Sequence, residues 1–160
     1  MTDVTCIMGI DPGASGAISF YFPSRPDLIA VSDVPLVAGE IDAAELGRSI
    51  VQFSPTMAII EQVGAMPKQG VSSTFKFGMS YGMARGVVAA LGIPTHLVTP
   101  GRWKKHFRLD SDKEKARALA IRLWPSSAHF GRKKDHGRAE AALLARFAAE
   151  TMGGAYVDAS

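Results

Sequence analysis

A mixed α/β fold is what this sequence predicts: a five-stranded sheet, three strands antiparallel and two parallel, flanked by helices. Three apolar runs, at residues 7–11, from Ala17 onward and at 28–34, follow one another through short turns rich in Pro and Gly, which makes an antiparallel meander. Two further runs, at 57–61 and 93–98, each follow a segment whose apolar residues recur at helical spacing. They therefore return to the sheet by strand, helix, strand crossovers, parallel to the first strand.

Each element has its own signal. Ile7-Met8-Gly9-Ile10-Asp11-Pro12-Gly13 is an apolar run ending on a carboxylate and a Pro-Gly turn, and Ala17-Ile18 opens the partner strand. Pro23 and Pro26 mark the turn before the third strand. Ile41, Leu46, Ile50, Val51 and Phe53 give the first helix, over residues 41–53. Met57-Ala58-Ile59-Ile60-Glu61 is the second run closed by an acid.

Residues 73–91 predict a helix with Gly78, Gly82 and Gly86 at every fourth position. Each glycine costs roughly 1 kcal/mol relative to alanine inside a helix, so close packing on the sheet or on a second copy is expected to compensate. Pro100 opens a short helical turn with Arg102, Trp103, Lys104, Lys105 and Phe107, where cations alternate with aromatics. Ser111-Asp112-Lys113-Glu114 is a capping box with Ser111 at the N-cap, and its helix ends at Trp124-Pro125. Lys113, Lys115 and Arg117 read as that helix's solvated face. The alanine- and leucine-rich run after Gly137 is a closely packed final helix with Glu140 near its start.

With 160 residues, 47% of them hydrophobic and 21% charged, the chain predicts one globular domain, residues 1–160. Cys6 is the only cysteine, so no internal disulfide forms, and its place in the first apolar run predicts a buried thiol. No run is long enough for a membrane span and no leader pattern opens the sequence, so a cytoplasmic setting is expected. The net charge of +3 says little. Its distribution says more, with one cluster at Arg102, Lys104, Lys105, His106 and Arg108 and another at Arg132, Lys133, Lys134, His136 and Arg138.

Asp11 and Glu61, at the ends of neighbouring strands, and Glu140 on the closing helix, with Asp135 or His136 just before it, form a candidate site. Acids converging at a sheet rim repel unless cations neutralise them, and an all-oxygen set suits Mg²⁺, with Mn²⁺ able to substitute. Two such ions, roughly 3.5–4 Å apart, clamp the attacking and leaving oxygens of a phosphoryl displacement. The basic clusters would grip a phosphate backbone. The sequence therefore predicts metal-dependent phosphodiester hydrolysis.

Gly9-Ile10-Asp11-Pro12-Gly13, Ile60-Glu61-Gln62-Val63, Met83-Ala84-Arg85-Gly86 on the glycine-bearing helix and Glu140-Ala141 on the last, in that order, resemble the RuvC family of Holliday junction resolvases, of the RNase H-like superfamily. The resemblance covers nearly the whole chain. It implies an RNase H-like fold and a homodimer that binds four-way DNA junctions and nicks two opposed strands with Mg²⁺, with no nucleotide cofactor. Asp11 and Glu61 match the first two metal ligands, and Glu140 the last, where the family more often has Asp. The family's remaining ligand, an Asp or His three residues before the last acid, falls on Gly137. A carboxylate is the harder ligand, so Asp135 is assigned that role here, against the plainer readings of Asp135 as a helix N-cap and His136 as a solvated imidazole.

Lys68, Arg102, Lys104, Lys105, Arg108, Lys133 and Lys134 are the expected DNA contacts, and Met66 occupies the loop where the family wedges the junction centre. Three other readings compete: an RNase H-like nuclease of forks or flaps, a junction-binding module without catalysis, and a sugar-kinase-type nucleotide binder, for which 160 residues leave no second lobe.

Overall fold

The computed structural model describes residues 5–13 and 15–157. Ala14, in the first predicted turn, lies outside the described residues. Strands β1 (Ile7–Asp11), β2 (Ala17–Tyr21) and β3 (Ile29–Asp33) form the antiparallel meander. A small hairpin of β4 (Leu36–Val37) and β5 (Glu40–Ile41) precedes α1 (Ala43–Phe53), and β6 (Met57–Glu61) follows. Then come α2 (Val71–Ala90), β7 (Thr95–Val98), α3 (Pro100–His106), α4 (Lys113–Leu123) and, after a 3-10 turn at Lys133–Asp135, α5 (His136–Val157).

The main sheet has the order β3-β2-β1-β6-β7, with β1, β6 and β7 mutually parallel. The predicted five strands and their directions are those observed. Because side chains alternate across a strand, the sheet has two cores. Ile7, Met57 and Ile59 face α3, α4 and α5 with Trp103, Trp124, Leu143 and Phe147. Met8, Ile10, Ala58 and Ile60 face α1 and α2 with Leu46, Ile50, Ala84 and Val88. Cys6 is buried in the second, and burial pushes its thiol up to about 12.

The alanine richness of α5 has a direct cause. A Cβ on Gly9 would lie 2.2 Å from the carbonyl oxygen of Ala141 and 2.9 Å from the Ala145 nitrogen. The Ser19 hydroxyl, opposite Gly9 in the register, donates to that same Ala141 oxygen at 2.7 Å. Only a small-residue helix crossing a glycine allows this approach.

Three local expectations change. The N-cap of α4 is Asp112, whose carboxylate accepts from the Glu114 N–H at 3.0 Å, so the predicted Ser111 cap is one residue early. The first helix begins at Ala43 and not at residue 41, because Ile41 belongs to the β4–β5 hairpin, whose two-residue strands leave no periodicity to read. Its turn holds Ala38 at φ 51° and Gly39 at φ 79°, the left-handed pair a two-residue hairpin needs. The glycine face of α2 does not pack on the sheet: Cβ atoms on Gly78, Gly82 and Gly86 would meet nothing within 4 Å.

Candidate metal centre

Register places the first two acids. Ile10 pairs with Ile60 across parallel β1 and β6, so Asp11 and Glu61 stand side by side one step further on, at the carboxyl-terminal rim. Both lie on the face covered by α5, in phase with Ile7 and Gly9 on β1 and with Met57 and Ile59 on β6. Helix α5, seated on Gly9, brings Glu140 to them. One carboxylate oxygen from each of Asp11, Glu61 and Glu140 lies within 4.8 Å of those of the other two.

Burial and mutual repulsion hold these groups toward their neutral forms. Desolvation, then the charges of Glu140 and Glu61, push Asp11 up to about 7, against the pull of the Gly13 N–H and Lys113. Burial also raises Glu140, while nearby Lys104 and Lys113 and a hydrogen bond with Asp11 act the other way. Glu61 is raised mainly by burial and steadied by the Trp103 indole N–H, which donates to Glu61 Oε2 at 2.7 Å. The donor set is hard oxygen at close quarters, and it fits Mg²⁺ or Mn²⁺.

Asp135 does not join the three acids. It is 2% exposed, and its carboxylate accepts from the Arg132 guanidinium at 2.8 and 3.0 Å and from the Arg132 backbone N–H at 2.8 Å. Arg138, which pairs with Asp33, stands beside it. These cations more than offset burial and hold Asp135 below the usual carboxylate range. Its spacing in sequence was read without the arginines that claim it.

The neighbouring residues divide differently. Gly137 is buried, and a Cβ there would lie 3.3 Å from Asp11 Oδ2 and 2.9 Å from the Ser15 carbonyl oxygen, so this position faces the site with no side chain. His136 Nδ1 is buried without a hydrogen-bond partner among the described residues. The ring is held below its ordinary range by burial and by Lys113.

Lys113 is the residue that sequence reading missed. It is exposed, as the solvated-face reading had it, yet at the first turn of α4 it lies close enough to act on Asp11, Glu61, Glu140 and His136. Only the docking of α4 beside α5 brings it there.

Of the expected DNA contacts, Lys68, Arg102, Lys105, Arg108, Lys133 and Lys134 are exposed, and Lys104 is half-buried toward the acids. Lys104, Lys105 and Arg108 line an open groove. The aromatics interleaved with them turn inward: Trp103 is fully buried and Phe107 packs on the core, so neither offers a stacking face. Met66 is exposed, as a wedge requires. No helix among the described residues is long and apolar enough to cross a membrane.

The sequence matches no protein-family model and no curated protein. The fold, however, is similar to that of solved structures. Thermus thermophilus RuvC in complex with Holliday junction substrate has a TM-score of 0.66 at 16% identity, covering 93% of this chain and 96% of that one. A second structure of Thermus thermophilus RuvC has a TM-score of 0.61 at 16% identity, covering 93% and 97%. The chain thus has the RuvC, RNase H-like fold.

Proposed function

We propose that this protein is a Mg²⁺-dependent endonuclease that acts as a homodimer on four-way DNA junctions and nicks two opposed strands. The observation that carries the reading is the convergence of Asp11, Glu61 and Glu140, three raised carboxylates at one sheet rim, in the fold of a RuvC that was solved with its junction.

Asp11, Glu61 and Glu140 would hold the ions; Gly137 brings no side chain to the fourth place once given to Asp135, and His136, with its unpartnered buried nitrogen, stands one residue before it. Asp135 instead ties down the turn that presents His136. Bound ions would supply hydroxide from water and stabilise charge on the phosphoryl oxygens. The protein's own part is to orient and neutralise. Trp103 fixes the rotamer of Glu61, Lys104 and Lys113 offset charge on the approaching phosphate, and Asp11 loses its proton as metal enters. Lys105 and Arg108, on one groove with Lys104, and the exposed Arg102, Lys68, Lys133 and Lys134 supply the backbone grip.

The dimer would use the outward face of α2, where Gly78, Gly82 and Gly86 leave an open surface next to exposed Val71 and Phe75, with Gly82 and Gly86 lining a groove beside β7. A second helix approaching that surface supplies the compensation the glycines need.

The test is cleavage of a synthetic four-way junction, against linear duplex and a three-way fork, with Mg²⁺ or EDTA, by wild type and Asp11→Asn. Paired symmetric nicks that need metal and vanish in the variant support the proposal. Junction binding without nicks would make the protein a structural binder, and equal cutting of every branched substrate would make it a less selective nuclease.

A further inference from the structure

Between α2 and the β4–β5 hairpin lies a half-enclosed cavity of about 560 Å³, on the flank of α2 away from its glycine face. That volume falls within the roughly 300–1,000 Å³ of small-ligand pockets. One lining residue links the cavity to the turn beside the metal centre. Phe77 lines the cavity, and the edge of the same ring lies 3.8 Å from where a Cβ on Gly13 would stand, in the turn that leaves Asp11.

The lining is chemically mixed. Ser72 and Ser73 offer hydroxyls that donate or accept, and Met79 adds apolar surface. Lys76 and Glu40 also line it, and neither is paired with the other or with any other charged group among the described residues. Two opposite charges across a gap they do not close leave a donor and an acceptor for something between them.

We propose that this cavity receives one unstacked nucleobase of the strand whose phosphate lies at the acids. The proposal rests on the nuclease reading above. A planar heteroaromatic ring can lie on Phe77, and the Watson–Crick edge of every base carries both a donor for Glu40 and an acceptor for Lys76. The cavity is far too narrow for a duplex, whereas a base at an opened crossover is already unpaired and costs least to draw out. The order of donor and acceptor on the base edge then makes the site a reader of sequence near the nick.

The experiment places 2-aminopurine, or an abasic site, singly at each position around the crossover of a four-way junction and measures binding in EDTA. For wild type, fluorescence changes at one position per bound strand, and the abasic substitution there weakens binding roughly fivefold or more. Ser72→Trp, which fills the cavity from an exposed position, abolishes that position-specific signal, and Lys76→Met reduces it. A junction that binds with no position-specific signal, or with a signal unchanged in both variants, overturns the proposal. Because this readout needs no cutting, nicking retained without a signal sinks the base site alone, while loss of both nicking and signal sinks the nuclease reading with it.

Discussion

Asp11→Asn is expected to stabilise the metal-free protein. With its carboxyl pushed from the model-peptide range up to about 7 by burial, Glu140 and Glu61, wild-type Asp11 at pH 8 carries a charge that the fold disfavours. The sign follows from proton binding: between pH 4 and 7 the folded chain holds a proton that the unfolded chain has released, so stability falls as pH rises through that window. The shift bounds the loss at about 4 kcal/mol above pH 7. Asparagine removes the charge and keeps a donor for Glu140 and an acceptor for the Gly13 N–H. Urea unfolding followed by tryptophan fluorescence suits the test, since Trp103 and Trp124 are both fully buried. In EDTA at pH 8 the variant should gain about 1 kcal/mol or more, and the gain should shrink at pH 5, where wild-type Asp11 is already neutral. With Mg²⁺ in excess the order should reverse, because only wild type binds the ion fully. A variant less stable than wild type at pH 8 in EDTA would refute the claim that Asp11 is held there at a cost.

Gly9→Ala drives a methyl into the Ala141 carbonyl, costing about 3 kcal/mol and lowering Tm by roughly 6–12 °C, which a calorimetric scan would show. Trp103→Phe removes the indole N–H that steadies the Glu61 carboxylate. Glu61 then rises further, so Mn²⁺ binding, followed by titration at several pH values, should require a higher pH than in wild type. Gly82→Arg places a long cation on the outward face of α2 and should yield monomers in analytical ultracentrifugation without lowering Tm, since arginine is the better helix former. Met66→Ala should impair junction opening if Met66 is the wedge; unchanged opening and cleavage would dismiss that role.

Much of the scaffold was legible because its signals are local. β1 and β6 each end an apolar run on an acid, and the periodicities between them specify crossovers, so the sheet and the pairing of Asp11 with Glu61 follow from pattern and chain topology alone. Glu140 was legible for a related reason: an acid among alanines on a packed helix has few places to go except against other acids or a cation.

Other features were decided by packing, which has no signature along the chain. One pairing was missed although it is local: Asp135 carries the right chemistry at nearly the right spacing, but the turn before α5 gives its oxygens to Arg132, three residues earlier, with Arg138, three residues later, 3.9 Å away. Lys113 is exposed as read, but the docking of α4 beside α5 carries its charge to the acids, and Trp103 looked like a DNA-facing aromatic until its ring was buried against Glu61. The sequence alone determined which strands form, their directions and the three acids at the rim, because covalent order and side-chain period dictate them. Only the tertiary structure decided which cations stand near the acids, because Lys104 and Lys113 act on Asp11, Glu61 and Glu140 across distances set by packing between residues far apart in the chain.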